Sequence, residues 1–340
     1  ITEKRYQNWV DIENFYFQEL MKIINNYEFI KRSKREYELN IQQVVQLNKE
    51  LQDIKVELEI YLLSIIHVDR FQITRDNLIT QHIFSTMHLT DFTSAGCDSI
   101  IDEQAHVYKS EIEEYNETIA NNPEARRNYL LNRFCLEQQD STYKFNDEKW
   151  ETFTKKKDQF HKYIECKPSN YLFLNFNYTS TETEYTNQRE SSFVEKVPSI
   201  IHIHGELNKQ NNPIIFGYGD EISKDYLRLE EFSENELLNN VKSIEYLNTD
   251  NYRRLLEYID SDMYQIFIMG HSCGNSDRTL LNTLFEHENC ASIKVYYHQE
   301  SPTKDNYSDI VRNISRNFKD KKLMRERVVN KKQCEPLRKH

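Results

Sequence analysis

Glycine is the tightest constraint on what this chain can fold into. Only 6 of its 340 residues are glycine, where ordinary usage of ~7% would give about 24. Proline is as scarce, at 6 residues. Tight hairpins and closely spaced turns draw on the positive φ that Gly reaches without steric cost. A turn-rich β-sandwich, a β-propeller and a flexible linker protein are therefore excluded. At ~150 residues per domain the length allows about two domains, or one enlarged domain.

The formal net charge is −11, which argues against a dedicated nucleic-acid binder, since such proteins carry a basic face. No apolar run approaches the ~20 residues of a membrane span, so a soluble protein with no membrane partner is expected. The six cysteines, Cys97, Cys135, Cys166, Cys273, Cys290 and Cys334, are scattered without a C-x-x-C pair, and no apolar signal segment opens the chain. Reduced thiols and a cytoplasmic location follow as expectations.

The chain opens inside a helical pattern. Trp9, Ile12, Phe15, Phe17, Leu20, Ile23 and Ile24 recur near helical spacing, and a start at Ile1 leads to the expectation of further residues upstream. Over 37–67 the residues Val44, Leu47, Leu51, Ile54, Leu58, Tyr61 and Ile65 step by three and four, the seam of a long helix that wants a partner. That partner is another helix of the chain or a second copy. Helical periodicity returns over 124–138 and 149–164, so residues 1–165 are read as a mostly helical region.

Near Pro168 the pattern changes. Short runs rich in β-branched and aromatic residues appear at 171–176, 199–204, 214–216, 264–269 and 293–297. Several lack alternation, as strands covered on both faces do. Helical patterns at 225–259, with breaks, and 277–287 separate some of them, which predicts an α/β core over 166–300. The polar stretch 180–196 reads as a loop. Residues 301–340 form a basic C-terminal segment, read as a solvated helix face and a frayed tail, with contact to phosphate or an acidic partner as the alternative.

Three segments place polar groups at strand ends, where open α/β sheets bind ligands. In Asn175-Phe176-Asn177-Tyr178-Thr179 an Asn either holds a turn through its side chain or fixes a ribose hydroxyl or a water. In Ile201-His202-Ile203-His204-Gly205 the two histidines share a strand face, yet no third ligand accompanies them, so no metal is expected. His204, followed by Gly205, is suited to project into a cleft as a general base. His202 reads as a packed neighbour. The third segment runs Gly270-His271-Ser272-Cys273-Gly274-Asn275-Ser276-Asp277 into a helix with Leu280, Leu281, Leu284 and Phe285 on one face. Strand, Gly-containing loop and helix N-terminus make an anion cradle. Asn275 or Ser276 is the candidate N-cap, with Asp277 in the favourable first turn. Cys273 is a small loop residue rather than a nucleophile.

In order along the chain, Trp9-x-Asp11-Ile12-Glu13, Phe176-Asn177-Tyr178-Thr179, Ile203-His204-Gly205, Ile215-Phe216-Gly217-Tyr218, Gly270-His271-Ser272 with Asp277, and the strand 293–297 resemble the AbiH family of bacteriophage abortive-infection proteins, a relative of the sirtuin-like NAD-binding domains. The resemblance implies a Rossmann-like (sirtuin-like) parallel sheet core with a large mostly α-helical insertion. It implies NAD as substrate, with Asn177 and His204 at the nicotinamide end as catalytic residues and Gly205, Gly270, His271, Ser272 and Asp277 as dinucleotide-binding residues. Thr179 stands where many relatives have Asp, and the family's opening Gly-rich phosphate loop is not found before Trp9. The implied activity is cleavage of the nicotinamide–ribose bond by an abortive-infection effector, with a non-catalytic nucleotide sensor as the alternative. An NAD hydrolase would need a switch, and the long helix and the basic tail are its candidates, through self-assembly or a sensor protein. Four of the six glycines, Gly205, Gly217, Gly270 and Gly274, fall in these segments, and Gly219 directly follows one of them.

Overall fold

The structure is a computed structural model that describes residues 9–29, 34–66, 76–85, 87–93, 168, 170–186 and 198–338. The helices expected over 124–138 and 149–164 lie outside the described residues. The chain divides into two compact units, one of Ile1–Phe84 with Ser169–His340, the other of Ser85–Pro168. In the second, the described residues include one 3-10 turn, Leu89–Asp91. All further elements among the described residues belong to the first.

Two helices open that unit, α1 (Trp9–Phe29) and α2 (Lys34–Ile66). The seam of α2 finds its partner within the chain: Val44, Leu51 and Leu58 are buried at heptad spacing, packed with Tyr16, Phe17, Leu20, Met21 and Ile24 of α1. Tyr61, assigned to that seam from the sequence, is exposed, and Leu62 takes its place. The helix advances 3.6 residues per turn rather than 3.5, so a strict heptad drifts off the contact over several turns. A short helix α3 (Asn77–Ile83) follows, capped by the Asp76 carboxylate on the Leu78 and Ile79 amides.

The α/β part contains β1 (Leu172–Asn175), the single turn α4 (Thr183–Thr186), β2 (Ser199–His202), α5 (Lys224–Glu230), α6 (Lys242–Glu245), α7 (Asn251–Ser261), β3 (Tyr264–Met269), α8 (Arg278–Glu286) and β4 (Cys290–Tyr296). β1 pairs in parallel with β2, with Asn175 opposite His202, and β3 pairs in parallel with β4. Among the described residues these are two separate two-stranded sheets. They share one core, in which Ile201, Ile203, Ile268, Ile293 and Val295 meet Leu255 and Ile259 of α7. The apolar face read for α8 is the buried one, with Leu280, Leu281, Leu284 and Phe285 all inside.

Two expected strands differ. The 199–204 run leaves the ladder after His202, and His204 enters a turn with Gly205. Residues 214–216 are extended and buried but form no strand. Their alternation serves two cores at once: Ile215 packs with the sheets, and Ile214 and Phe216 pack with α1 and α2. Phe17 stacks on Tyr218 in the same layer, with ring centroids 3.7 Å apart.

The frayed tail read from the C-terminal charges is instead part of the core. After a small antiparallel pair, β5 (Gln299–Ser301) and β6 (Lys304–Asp305), come α9 (Tyr307–Asn317) and α10 (Lys321–Arg327). Ile310, Ile314 and Phe318 are buried at i,i+4 spacing while Arg312, Arg316 and Lys319 face solvent. Counting charges hid that amphipathic stripe. Phe318 stacks on Phe285, and the buried Arg327 donates to the Phe285 carbonyl at 2.6 Å. Val328 and Pro336 bridge in parallel to Ile293 and Tyr297.

Phe285 is 1% exposed and Leu247 is 79% exposed. Phe285→Ala is expected to cost about 3–5 kcal/mol of stability, and Leu247→Ala to stay within about 0.5 kcal/mol of wild type, both read by urea denaturation.

Candidate functional site

At the centre of the first unit lies a buried set of charges contributed by distant segments. Lys242, at the start of α6, is 1% exposed. Its Nζ donates to Glu13 Oε2 of α1 at 3.0 Å and to Asp277 Oδ1 at 2.9 Å. His204 Nε2 lies 3.0 Å from the same Asp277 oxygen and 3.1 Å from the Tyr246 hydroxyl. His271 Nε2 is 3.6 Å from Asp277 Oδ2. The Gly217 amide donates to Glu13 Oε1 at 3.2 Å. Phe176 meets His204 edge-on and packs at a tilt on His271.

A buried charge persists only when it is paired and hydrogen-bonded, and the pairing here sets each group's ionisation. Burial drives the Asp277 carboxyl upward, but the Lys242 cation and the His204 ring outweigh it and hold the group well below the usual carboxylate range. Burial likewise opposes the Lys242 charge, and Asp277 and Glu13 reverse that and raise it. Glu13 is pushed up to about 7 by burial, against Lys242 and with the help of Asp277. His204 is lowered, chiefly by burial and then by Lys242. His204 is therefore a neutral imidazole near pH 7. If Nε2–H donates to Asp277, the lone pair on Nδ1 is left as the acceptor.

The segments predicted from the sequence take different places. His204 and Asp277 are the heart of the cluster. Asp277 makes no side-chain cap bond to α8; its carboxylate turns inward to Lys242, which its place in the first helical turn did not disclose. The first amides of α8 are taken by protein carbonyls: Asp277 N by Gly274 O, Arg278 N by Asn275 O and Thr279 N by Gly219 O. The helix-end amides of the cradle read from this segment are thus taken by the chain itself. Gly270 (φ +74°) and Ser272 are exposed at the C-terminal end of β3, and a Cβ built on Gly270 would meet nothing within 4 Å. Gly205 (φ +84°) lies against Pro213, whose carbonyl oxygen would be 2.1 Å from an added Cβ.

The two histidines of 201–205 do not share a ligand direction, because the strand ends between them. His202 Nε2 lies 3.0 Å from Glu182 Oε1, and its Nδ1 lies 3.4 Å from the Asn177 carbonyl. The turn after β1 is held by Asn175, whose Oδ1 accepts from the Asn177 amide and whose Nδ2 donates to Glu182 and to the Thr179 carbonyl. Asn177 itself is exposed on that side. Behind the site loop, Asn313 and Asn317 of α9 donate to the Ser272 and Cys273 carbonyls at 2.8 and 2.9 Å. Cys273 there has φ +54°, a conformation costly for a residue with a side chain. Burial pushes its thiol up to about 12, which suits a small loop residue and not a nucleophile.

The sequence singled out Glu13 only as part of the Trp9–Glu13 piece, without a role, and did not single out Lys242 or Tyr246. Glu13 carried a signal, since it falls on the face of α1 that buries Tyr16, Phe17, Leu20 and Ile24. Lys242 and Tyr246 carried none that a single sequence shows.

The model of the family described as bacteriophage abortive infection AbiH matches residues 1–299. No curated protein and no solved structure matches the chain.

Glu13 keeps its proton in the folded protein over a range in which the unfolded chain has released it. As pH rises from about 5 to about 7, wild-type stability is therefore expected to fall relative to Glu13→Gln, as measured by denaturant titration at each pH. The glycines separate two costs. Gly270→Ala meets only the positive φ, about 1–2 kcal/mol. Gly205→Ala must also displace the Pro213 backbone, so its unfolding midpoint is expected to drop further than that of Gly270→Ala.

Proposed function

The chain belongs to the AbiH family of bacteriophage abortive infection proteins, which implies a role in abortive infection, and we propose that it fills that role in the cytoplasm by binding NAD and hydrolysing the nicotinamide–ribose bond. One observation carries this reading. The sequence pieces that resemble the family lie more than 250 residues apart, yet Glu13, Phe176, His204, Gly217, His271 and Asp277 from five of them meet around Lys242 and Asp277. That convergence supports a site built on the residues that resemble the family.

NAD is the substrate class that the resemblance implies, and the chemistry asks little of the protein. The leaving nicotinamide is already cationic on the sugar and departs neutral, while water supplies the new C1′–O bond. The remaining task is to take one proton from that water and to hold the ribose. A neutral His204, with Nε2 committed to Asp277, is suited to accept the proton. A general base contributes about 10² to 10⁴ in rate. In this reading the substrate would lie over Gly270 and the exposed Ser272, beside His271 at the end of β3, where a Cβ on Gly270 would meet nothing within 4 Å. Phosphate contacts from the α8 amides are not part of this reading, because protein carbonyls occupy them. Asn177 would position the ribose from the β1 turn.

His204 and Asp277 are each 5% exposed. That closure fits an enzyme held off until self-assembly or a sensor protein opens it, as an NAD hydrolase must be to spare its own cell. It also favours the second reading, a module that binds the nucleotide without turning it over.

His204→Ala is expected to remain folded by circular dichroism and to lose at least about 100-fold in nicotinamide release from NAD. Unchanged release removes His204 from the mechanism. Saturable binding of NAD by calorimetry, with no product after long incubation, selects the sensor.

A further inference from the structure

We infer that Lys242 is a positioning residue that keeps His204 a neutral base by satisfying the charge of Asp277 in its place. The inference rests on the proposed role of His204 and deepens it. In a simple histidine–carboxylate pair the carboxylate favours the imidazolium, because the nearby negative charge has no other cation. Here the two donors compete for one atom. Lys242 Nζ and His204 Nε2 lie 2.9 and 3.0 Å from the same Asp277 Oδ1, and all three side chains are buried. Two full positive charges on one carboxylate oxygen, away from water, repel each other, and the ammonium is the stronger base. Lys242 therefore stays charged and His204 stays neutral, with its ring still oriented by the hydrogen bond.

The other groups around His204 do not reverse this. Tyr246, from the turn after α6, presents a hydroxyl whose ionisation burial suppresses. His271, from the loop after β3, faces Asp277 Oδ2 and adds a second ring competing for the same carboxylate. Glu13 of α1 reaches Lys242 and steadies the ammonium against the cost of burial. Phe176 contributes only its ring edge. With Lys242 removed, the two histidine rings are the groups left to balance Asp277, and the His204 ring, on the oxygen that Lys242 vacates, would become its counter-charge.

The test is nuclear magnetic resonance of the full chain carrying nitrogen-labelled histidine, with His204→Gln used to assign the ring. The wild-type ring is expected to be neutral at pH 7 with its proton on Nε2. Because Lys242→Met alone leaves Glu13 and Asp277 buried without the ammonium between them and endangers folding, the comparison is between Glu13→Gln and Glu13→Gln with Lys242→Met. The titration midpoint of His204 is expected to rise by about 1 to 3 pH units in the second. An imidazolium in wild type at pH 7, or a midpoint that fails to rise, overturns the inference. If the double variant does not fold, the wild-type protonation state decides alone. The ring reports its charge whether or not NAD is consumed. A neutral Nε2–H ring in a protein that leaves NAD intact upholds the role of Lys242 and removes the hydrolase reading.

Discussion

One ammonium group between two carboxylates organises the first unit. Lys242 lies in a single turn of helix, too short to be stable by itself, and yet its Nζ joins α1 to the segment that begins α8. Losing Asp277 would leave the ammonium without its ionised partner in a medium that cannot solvate it, and losing Glu13 would remove its second acceptor, so the three groups have to arrive together. That requirement ties the N-terminal helices to the α/β part as firmly as the apolar contacts of Phe17 with Tyr218 do. Polar contacts repeat the same link nearby, where Asn240 donates to Tyr16 of α1 and Asn48 of α2, and Asn48 donates to the Glu236 carbonyl.

The cluster also explains why the two cores have different textures. The sheet core is mostly aliphatic around the Phe285–Phe318 stack and is filled from α7 to α10. The core beneath α1 and α2 is built largely on irregular backbone from Leu207 to Leu237. Irregular backbone is held in place by whatever satisfies its amides and carbonyls. Glu13 does this for the Gly217 amide, and the Val241–Tyr218 bridge does it for the stretch that follows. A carboxylate that serves both a backbone amide and a lysine is doing structural and electrostatic duty at once.

Much of this was legible in the sequence, for physical reasons. The seam of α2, the buried face of α8 and strands β1 to β4 declare themselves because periodicity reflects a one-sided or two-sided core, and those elements have simple surroundings. His204 and Asp277 were legible as polar groups at strand and helix ends. What the sequence did not disclose has a common cause, which is that the deciding contact is remote. Residues 214–216 look like a strand because they alternate, but the alternation answers to two cores and not to a sheet and solvent. Asp277 looks like a first-turn helix residue, since nothing local announces a lysine 35 positions earlier. The C-terminal stretch looks like a solvated tail because its charges are numerous, while the stripe of Ile310, Ile314 and Phe318 between them decides its fate.

That last stretch separates two units that are easily taken for one. The family match ends at residue 299, whereas α9 and α10 fill the sheet core, and Val328 and Pro336 lie alongside β4. The part of the chain recognised as kin and the part that has to fold together therefore have different edges. Asn313 and Asn317, which hold the carbonyls of the loop beside His271, belong only to the larger of the two. A fragment trimmed to the familial boundary would keep His204, Asp277 and Lys242 and would still lack the scaffold that sets the shape of the loop beside them.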